Sequence, residues 1–398
     1  MSPTADQRVK LSKRAQSTWS SGVQRFVAVA TCVIYVTACS TTPASLPIID
    51  PAHAKGESHQ VLVVTSREPV EDILQRYAEG RSELLSYNDV SVWAPANRNL
   101  GSISYPSSRP NADREFALTR FADIDAEAFT DLLNQRLQTL ETKKTVFIFV
   151  HGYNVPYSNG VYRTGQLVAE FEANAVPVHY SWPSQGRTLG YLYDRDSVQF
   201  ARDGFVDLLQ RVAASDAEAI FIMGHSMGTL LVMEGLRTLA AMGREDVLQM
   251  ISPLVLASPD IDVDVFKGQM RYLSPRPDPF IVFVASDDGA LTLSEKLRGG
   301  HARVGEGRYI PALQEQGIAV IDLSDVELGD GTQHSAFASS PTLIQVMQQA
   351  RTAEETLTDA DGAERSSPLE ALSDFTSGLI YLPKRVLGSS SPSSPNTE

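Results

Sequence analysis

Cysteine is scarce in this 398-residue chain: only Cys32 and Cys39 are present, and both lie near its start. Residues 40–398 therefore cannot form a disulfide within themselves. A basic excess is also missing, because the formal net charge is −14, and a chain this acidic is repelled by nucleic acid. No cluster of metal-ligating side chains and no phosphate-binding glycine loop is present. We therefore expect no metal, no cofactor and no nucleic-acid partner.

The first 38 residues have the pattern of a secretion signal. A polar basic stretch over residues 1–25 precedes a thirteen-residue apolar run, Phe26 to Ala38, which is too short to cross a bilayer as a helix. The run ends in Val36-Thr37-Ala38-Cys39, which resembles a bacterial lipobox and implies lipidation of Cys39. Ser40 in the next position resembles signals for the outer membrane. A plain signal peptide or a weak anchor helix is the alternative.

The composition divides the chain into four predicted segments. The signal peptide over 1–38 carries a net charge of +4, so its removal would bring the net charge of −14 to −18. A Pro- and Ser-rich stretch predicts a flexible tether over 39–59. One domain is predicted over 60–357, and a largely disordered extension over 358–398. The extension contains a mixed apolar patch at 369–387, which either completes the packing, covers a site or touches the membrane. Nothing in the sequence indicates an oligomeric state.

Apolar strand patterns alternate with helical patterns along the predicted domain. This alternation predicts an α/β fold with a mostly parallel central sheet and helices on both faces. The predicted helices cover 126–141, 157–173, 196–213, 227–242 and 341–357. The predicted strands are Val61–Val64, Thr145–Val150, Val176–Tyr180, Ala219–Met223, Leu254–Ala257, Ile281–Val284 and Ile318–Ile321.

A Gly-x-Ser-x-Gly sequence stands between one of these strands and the next helix. It reads Gly224-His225-Ser226-Met227-Gly228. In this setting the pattern is typical of a nucleophile elbow, in which a tight turn lifts a serine hydroxyl clear of the sheet. The two glycines avoid side-chain collisions across the turn. An ordinary glycine-rich turn between strand and helix is the alternative.

A serine nucleophile needs a base, and the base needs an orienting acid. In proteins with such an elbow the acid and then the histidine follow the serine along the chain. Asp288 follows a predicted strand, and His334 lies in the loop after the last one. Asp287 competes with Asp288, since one of the two acids can cap the following helix, and His301 is the second candidate base. Less favoured sources of the acid are Asp260, Asp262 and Asp264.

His151-Gly152-Tyr153-Asn154 directly follows the strand Thr145–Val150. Such a turn commonly directs a backbone N–H toward the nucleophile. The N–H groups of Tyr153 and Met227 are therefore the predicted oxyanion hole. A tight turn that needs Gly152 for backbone reasons alone is the alternative.

Together these residues resemble a bacterial subfamily of α/β-hydrolases that is catalogued as a domain of unknown function and described as esterase- or lipase-like. The resemblance implies the α/β-hydrolase fold and the triad Ser226, Asp288 and His334. It favours Asp288 over Asp287, because Asp288 begins a D-x-A-L-x-x-S pattern that ends at Ser294. The family commonly has Phe where this chain has Tyr153. The other matching segments are Thr65–Arg67, Gly80–Ser82, Val90–Val92, Phe149–Asn154, Ser181–Gly186, Gly224–Gly228, Ser258–Asp262 and Gln333–Ser335.

The expected function is cleavage of carboxylic esters through an acyl-enzyme intermediate, by a protein tethered to the bacterial envelope. Only 23 residues separate Ala257 from Ile281, and they include Pro275, Pro277 and Pro279, so we expect no large helical cap. Trp182 and Tyr191–Tyr193 offer aromatic surface that either lines an acyl pocket or packs internally. Two alternatives stay open: a non-catalytic envelope lipoprotein, and a thioesterase, amidase or acyltransferase that uses the same triad.

Overall fold

The computed structural model describes residues 44–171, 174–286, 288–297, 300–326, 333–341 and 343–345. The predicted signal peptide, Cys39, Asp287 and the apolar patch at 369–387 lie outside these residues, as does most of the helix predicted at 341–357. The described residues form a nine-stranded sheet with helices packed against it. The strands are β1 (Gly56–Pro69), β2 (Tyr77–Pro95), β3 (Ala117–Ile124), β4 (Thr145–Val150), β5 (Val176–Ser181), β6 (Ala219–His225), β7 (Ile251–Ala257), β8 (Phe280–Val284) and β9 (Ala319–Asp322).

The helices lie mainly in the connections between the parallel strands. The described residues also form three short 3₁₀ turns, at Thr188–Gly190, Gly307–Tyr309 and Gln333–Ser335. The α-helices are α1 (Ala126–Leu137), α2 (Tyr157–Phe171), α3 (Tyr191–Ala213), α4 (Met227–Ala241), α5 (Glu245–Gln249), α6 (Val263–Met270), α7 (Gly289–Leu297), α8 (Ile310–Gln314) and α9 (Ala336–Ser339).

The sheet has the order β3-β2-β1-β5-β4-β6-β7-β8-β9. The pairs β3–β2 and β2–β1 are antiparallel, and every pair from β1–β5 to β8–β9 is parallel. The predicted mostly parallel sheet is therefore confirmed. In such a sheet the carboxyl ends of β4, β6 and β8 meet at one edge, where open α/β sheets assemble their sites.

Both faces of the sheet are covered, as predicted. Side chains alternate across a strand, so Val146, Ile148 and Val150 of β4 join one apolar cluster, while Phe147 and Phe149 join another. Helices α1, α3 and α4 pack into the first cluster, and α2 and α9 pack into the second. The central parallel strands β4 to β8 are thus mostly buried on both faces, which explains their continuous apolar runs.

Two strands of the antiparallel part are absent from the sequence prediction. Strand β2 begins with polar residues, and the side chains from Glu79 to Ser86 are exposed or half-buried. Strand β3 pairs only with β2, at the edge of the sheet, and several of its side chains face solvent. Neither segment therefore carries the apolar run that marks the central strands.

The predicted tether over 39–59 is too long. Leu46 is buried in an apolar cluster with Val61 and Tyr162, and its N–H donates to the carbonyl of Leu74. Strand β1 then begins at Gly56, ahead of the predicted start. Residues 44–49 are thus attached to the domain by buried Leu46 and by backbone bonds such as that from the Ile49 N–H to the Leu118 carbonyl.

The segment between β7 and β8 is short, as predicted. Its one described helix, α6, has eight residues, and no large cap is formed there among the described residues. None of the helices in the described ranges is long and apolar enough to span a membrane.

Candidate active site

Ser226 occupies the turn between β6 and α4, at the edge of the sheet. The predicted succession of strand, serine and helix is confirmed. The backbone of Ser226 has φ 51° and ψ −124°, a strained conformation for a residue other than glycine. Its N–H donates to the carbonyl of Ala257 on the neighbouring strand, and its carbonyl accepts from the N–H of Thr229. These bonds hold the strained turn on both sides.

The two elbow glycines are required by space. A methyl group at Gly228 would overlap the carbonyl oxygen of His151 and lie 2.8 Å from that of Val150. A methyl group at Gly224 would lie 3.2 Å from the Cα of Thr229. The elbow and the turn after β4 are therefore packed backbone to backbone, and the predicted reason for both glycines is correct.

His334 and Asp288 meet across the end of the sheet. The Nδ1 of His334 lies 2.6 Å from Oδ2 of Asp288, and that carboxylate is almost completely buried. A carboxylate only accepts, so Nδ1 carries the hydrogen and Nε2 of the neutral ring is left as the basic nitrogen. About 16% of the His334 side chain stays exposed, which leaves the ring open to a reactant.

Asp288 also caps a helix. Its other oxygen, Oδ1, accepts the N–H groups of Ala290 and Leu291, each at 3.0 Å, in the first turn of α7. The sequence left capping and orienting as competing roles for two neighbouring acids. One carboxylate performs both, because its two oxygens face different partners. The helix thereby fixes the carboxylate that holds His334.

The turn after β4 lies against the nucleophile. A methyl group at Gly152 would come within 2.8 Å of both the Cβ of Ser226 and the Nδ1 of His225. Tyr153 follows this contact, and its ring packs edge to face on Tyr191 with 5.4 Å between ring centroids. Gly152 is thus beside the serine, and the Tyr153 N–H stays a predicted donor of the oxyanion hole.

A buried arginine holds this turn in place. Arg67 donates through Nη2 to the carbonyl of Val155 at 2.7 Å and through Nη1 to that of Ser184 at 2.9 Å. Its Nε donates to the hydroxyl of Ser181 at 3.0 Å. Burial lowers the pKa of Arg67 to about 10, so the side chain remains a cation at neutral pH. Arg67 belongs to a segment that matched the family pattern, but the sequence did not assign it a role.

Asp194 holds the same region from the side of α3. It accepts the N–H of Gln185 at 2.6 Å and the N–H of Asn154 at 3.2 Å. The hydroxyl of Ser184 donates to it as well, at 2.5 Å. Burial raises the pKa of Asp194 above its ordinary value, and these hydrogen bonds oppose that effect. No sequence pattern pointed to this residue, because its partners lie 9 to 40 positions away.

The aromatic residues near the site pack internally. Trp182 is completely buried, stacks on His151 with 4.9 Å between ring centroids, and donates its indole N–H to the His151 carbonyl. Tyr191 is also buried, and its hydroxyl donates to Asp260. Of the two readings that the sequence allowed for this aromatic surface, packing applies to both residues.

Two of the less favoured acids have other partners, and the second candidate base is exposed. Asp260 accepts from Ser294 at 2.7 Å and forms an ion pair with the buried Arg303. Asp262 caps α6, while Asp264 and His301 are exposed. Ser294, the last residue of the D-x-A-L-x-x-S pattern, therefore supports Asp260. In the described part of the chain, no group of three or more His, Cys, Asp or Glu side chains is placed to hold a metal ion.

The chain has similarities to known proteins in its structure, and none to curated proteins in its sequence. Among solved structures, the chain is similar to lipase B of Aspergillus fumigatus, with 13% identity and a TM-score of 0.36 over 59% of this chain and 56% of that one. It is also similar to an esterase of Pyrobaculum calidifontis, with 12% identity and a TM-score of 0.34 over 90% and 99% of the two chains. The chain thus spans little more than half the length of the lipase.

A family comparison covers the greater part of the fold. Residues 125–351 match the family described as "Alpha/beta hydrolase of unknown function (DUF900)". The matched range runs from the residue before α1 past α9, and includes the elbow, Asp288 and His334. This range is more than half of the 398 residues, and the chain belongs to this family of α/β-hydrolase fold.

Proposed function

We propose that the protein is a serine hydrolase that cleaves carboxylic esters through Ser226, His334 and Asp288. The observation that carries the proposal is the 2.6 Å contact between His334 and a buried Asp288, at the edge of the sheet where the strained Ser226 stands. A buried carboxylate on Nδ1 leaves Nε2 free to accept a proton, which is what a serine hydroxyl requires of its base.

In the proposed reaction, Ser226 Oγ attacks the ester carbonyl carbon while its proton passes to Nε2 of His334. The charged imidazole is stabilised by Asp288. The oxyanion is held by the N–H groups of Tyr153 and Met227, and the first helical residue, Met227, has no intrahelical acceptor for its N–H. The proton then moves from Nε2 to the leaving alcohol. Water attacks the acyl-enzyme by the same route and releases the acid and Ser226.

The surroundings of the site support a preorganised oxyanion hole. Arg67 and Asp194 fix both ends of the segment that follows Tyr153, since they bind Val155 and Asn154 respectively. A donor that is already in place needs no rearrangement during the reaction, and the loss of one such donor typically costs about 10²–10³-fold in rate.

The test is covalent labelling of the purified protein with a fluorophosphonate, followed by mapping of the modified residue. We expect labelling at Ser226, and its loss in both Ser226→Ala and His334→Ala. The matched control is His301→Ala, which removes the exposed competing histidine and should label like the wild type. Labelling lost in His301→Ala and kept in His334→Ala would reassign the base. No labelling of a folded wild type would favour a non-catalytic envelope protein.

Labelling alone does not separate esters from thioesters and amides, because the triad chemistry is shared. Hydrolysis of one acyl group offered as p-nitrophenyl ester, thioester and anilide makes that distinction. We expect the ester to have the highest kcat/KM. A higher kcat/KM for the thioester or the anilide would replace the ester assignment.

We further propose that Cys39 carries the lipid anchor that tethers the domain to the bacterial envelope, at the outer membrane. The support is the sequence alone: a basic stretch, a thirteen-residue apolar run and a lipobox-like end. Two acyl chains bind a membrane far more firmly than one. Cys39→Ser should shift the protein from the detergent phase to the aqueous phase in a cloud-point partition, whereas Cys32→Ser should not. Equal partition of the two variants would refute the assignment.

A further inference from the structure

One histidine joins the nucleophile to the loop that carries the base. His225 is the last residue of β6 and precedes Ser226 directly. Its Nε2 lies 2.9 Å from the backbone carbonyl oxygen of His334. The two imidazole rings are 4.9 Å apart at their centroids, and the His225 ring also packs on Phe337 at 4.8 Å. The loop that carries His334, here called the base loop, is therefore hydrogen-bonded to the side chain of His225, the residue directly before the nucleophile.

The direction of this hydrogen bond follows from its chemistry. A carbonyl oxygen only accepts, so Nε2 of His225 is the donor. Burial lowers the pKa of His225 well below its ordinary value, and the nearby His334 adds to that effect. The ring is therefore neutral and has a single N–H. That hydrogen is on Nε2, and Nδ1, on the side of Gly152, has none.

We propose that His225 is a positioning residue that sets the distance between Ser226 and His334 by donating its Nε2–H to the His334 carbonyl. The proposal rests on the proposed hydrolase function. Other contacts fix different parts of this loop: Asp288 holds the His334 ring, and Gln166 donates to the carbonyl of Ala338 at 2.8 Å. The bond from His225 ties the backbone of the base to the elbow itself.

Two amide variants separate the hydrogen bond from the shape of the side chain. In His225→Gln the amide nitrogen is as many bonds from Cα as Nε2 of histidine, so it can reach the same carbonyl. In His225→Asn the amide nitrogen takes the position of Nδ1. It is one bond closer to Cα than Nε2 is, so it cannot reach the His334 carbonyl. A purely structural role would affect both variants alike, since both replace the ring by a neutral amide.

The measurements are the rate of fluorophosphonate labelling and the kcat and KM for a p-nitrophenyl ester. We expect the Gln variant to stay within about tenfold of the wild type. The Asn variant should lose about 10²-fold in kcat and in labelling rate with little change in KM, because a misplacement of about 1 Å at a reacting group costs that much. Equal kcat values for the two variants would overturn the proposal. An unlabelled wild type would instead contradict the proposed hydrolase function.

A second measurement does not depend on the Asn variant. In wild-type protein with ¹⁵N in the histidine rings, the nitrogen chemical shifts show which nitrogen carries the hydrogen. The signals of His225 are assigned by their disappearance in the Gln variant. We expect hydrogen on Nε2. Hydrogen on Nδ1 would overturn the proposal even if the Asn variant failed to fold.

Discussion

We predict that the buried side chain of His179 makes the folded protein less stable in mild acid. This effect can be measured without any substrate. His179 lies on β5 with no exposed surface, and its Nδ1 is 3.2 Å from the carbonyl oxygen of Phe149. Its Nε2 has no hydrogen-bond partner among the described residues, and a methyl group at Gly160 would come within 2.5 Å of it. A proton on Nε2 would thus be buried without an acceptor. Burial accordingly lowers the pKa of His179 to about 3.

The sign and size of the effect follow from proton linkage. The unfolded chain binds a proton at His179 below about pH 6.5, and the folded protein does not until about pH 3. The contribution of His179 to stability is therefore complete above pH 6.5 and is lost progressively as the pH falls through this window. Between pH 7.5 and pH 5.0 the loss is about 2 kcal/mol, since each pH unit well inside the window is worth about 1.4 kcal/mol.

The assay compares urea unfolding of the wild type and His179→Asn at both pH values. Asparagine keeps a donor for the Phe149 carbonyl but cannot take up a proton in this range. The difference between wild type and variant isolates the effect of His179 from that of other titrating groups. One such group is Glu170: burial raises its pKa to about 7, so Glu170 stabilises the folded protein as the pH falls. The free energy of unfolding of the wild type should fall by about 2 kcal/mol more than that of the variant.

His301→Asn is the matched control. It makes the same chemical change at an exposed histidine, and this variant should lose as much stability between pH 7.5 and pH 5.0 as the wild type. A wild type and a His179→Asn variant that lose equal stability between the two pH values would refute the reasoning. That result would mean that the folded protein protonates His179 as readily as the unfolded chain does.

Three further substitutions test the geometry of the site. Asp288→Asn should lower kcat by about 10⁴-fold with a smaller change in KM, because the amide no longer holds the correct tautomer of His334. A variant with the same kcat as the wild type would remove Asp288 from the triad. Gly228→Ala should cost about 1–3 kcal/mol in urea unfolding and abolish labelling, while Gly268→Ala, in open space on α6, should not destabilise the protein. Arg67→Lys should cost about 1–3 kcal/mol in the same assay, since one ammonium group cannot serve three separated acceptors; an unchanged midpoint would contradict that role.

Much of the central sheet was predictable from local pattern. Strands β4 to β8 are short and mostly buried on both faces, so each carries its signal within five to seven residues, and their alternation with helices predicts a parallel sheet. The elbow was predictable for a similar reason, because a strand, a Gly-x-Ser-x-Gly turn and a helix are contiguous in the chain. The order of acid and histidine after the serine then pointed to Asp287 or Asp288 and to His334, and the family resemblance favoured Asp288.

The sequence by itself therefore determined the class of fold and the candidates Ser226 and His334, since these depend on periodicity and order along the chain, while the family pattern selected Asp288. The tertiary structure decided how they are held. Only the structure showed that the Asp288 carboxylate both caps α7 and binds His334, and that His225 donates to the backbone of the base loop. It also revealed Arg67, whose acceptors lie 88 and 117 positions away. Contacts over such separations leave no local pattern, because they exist only once the sheet has brought distant loops to one edge.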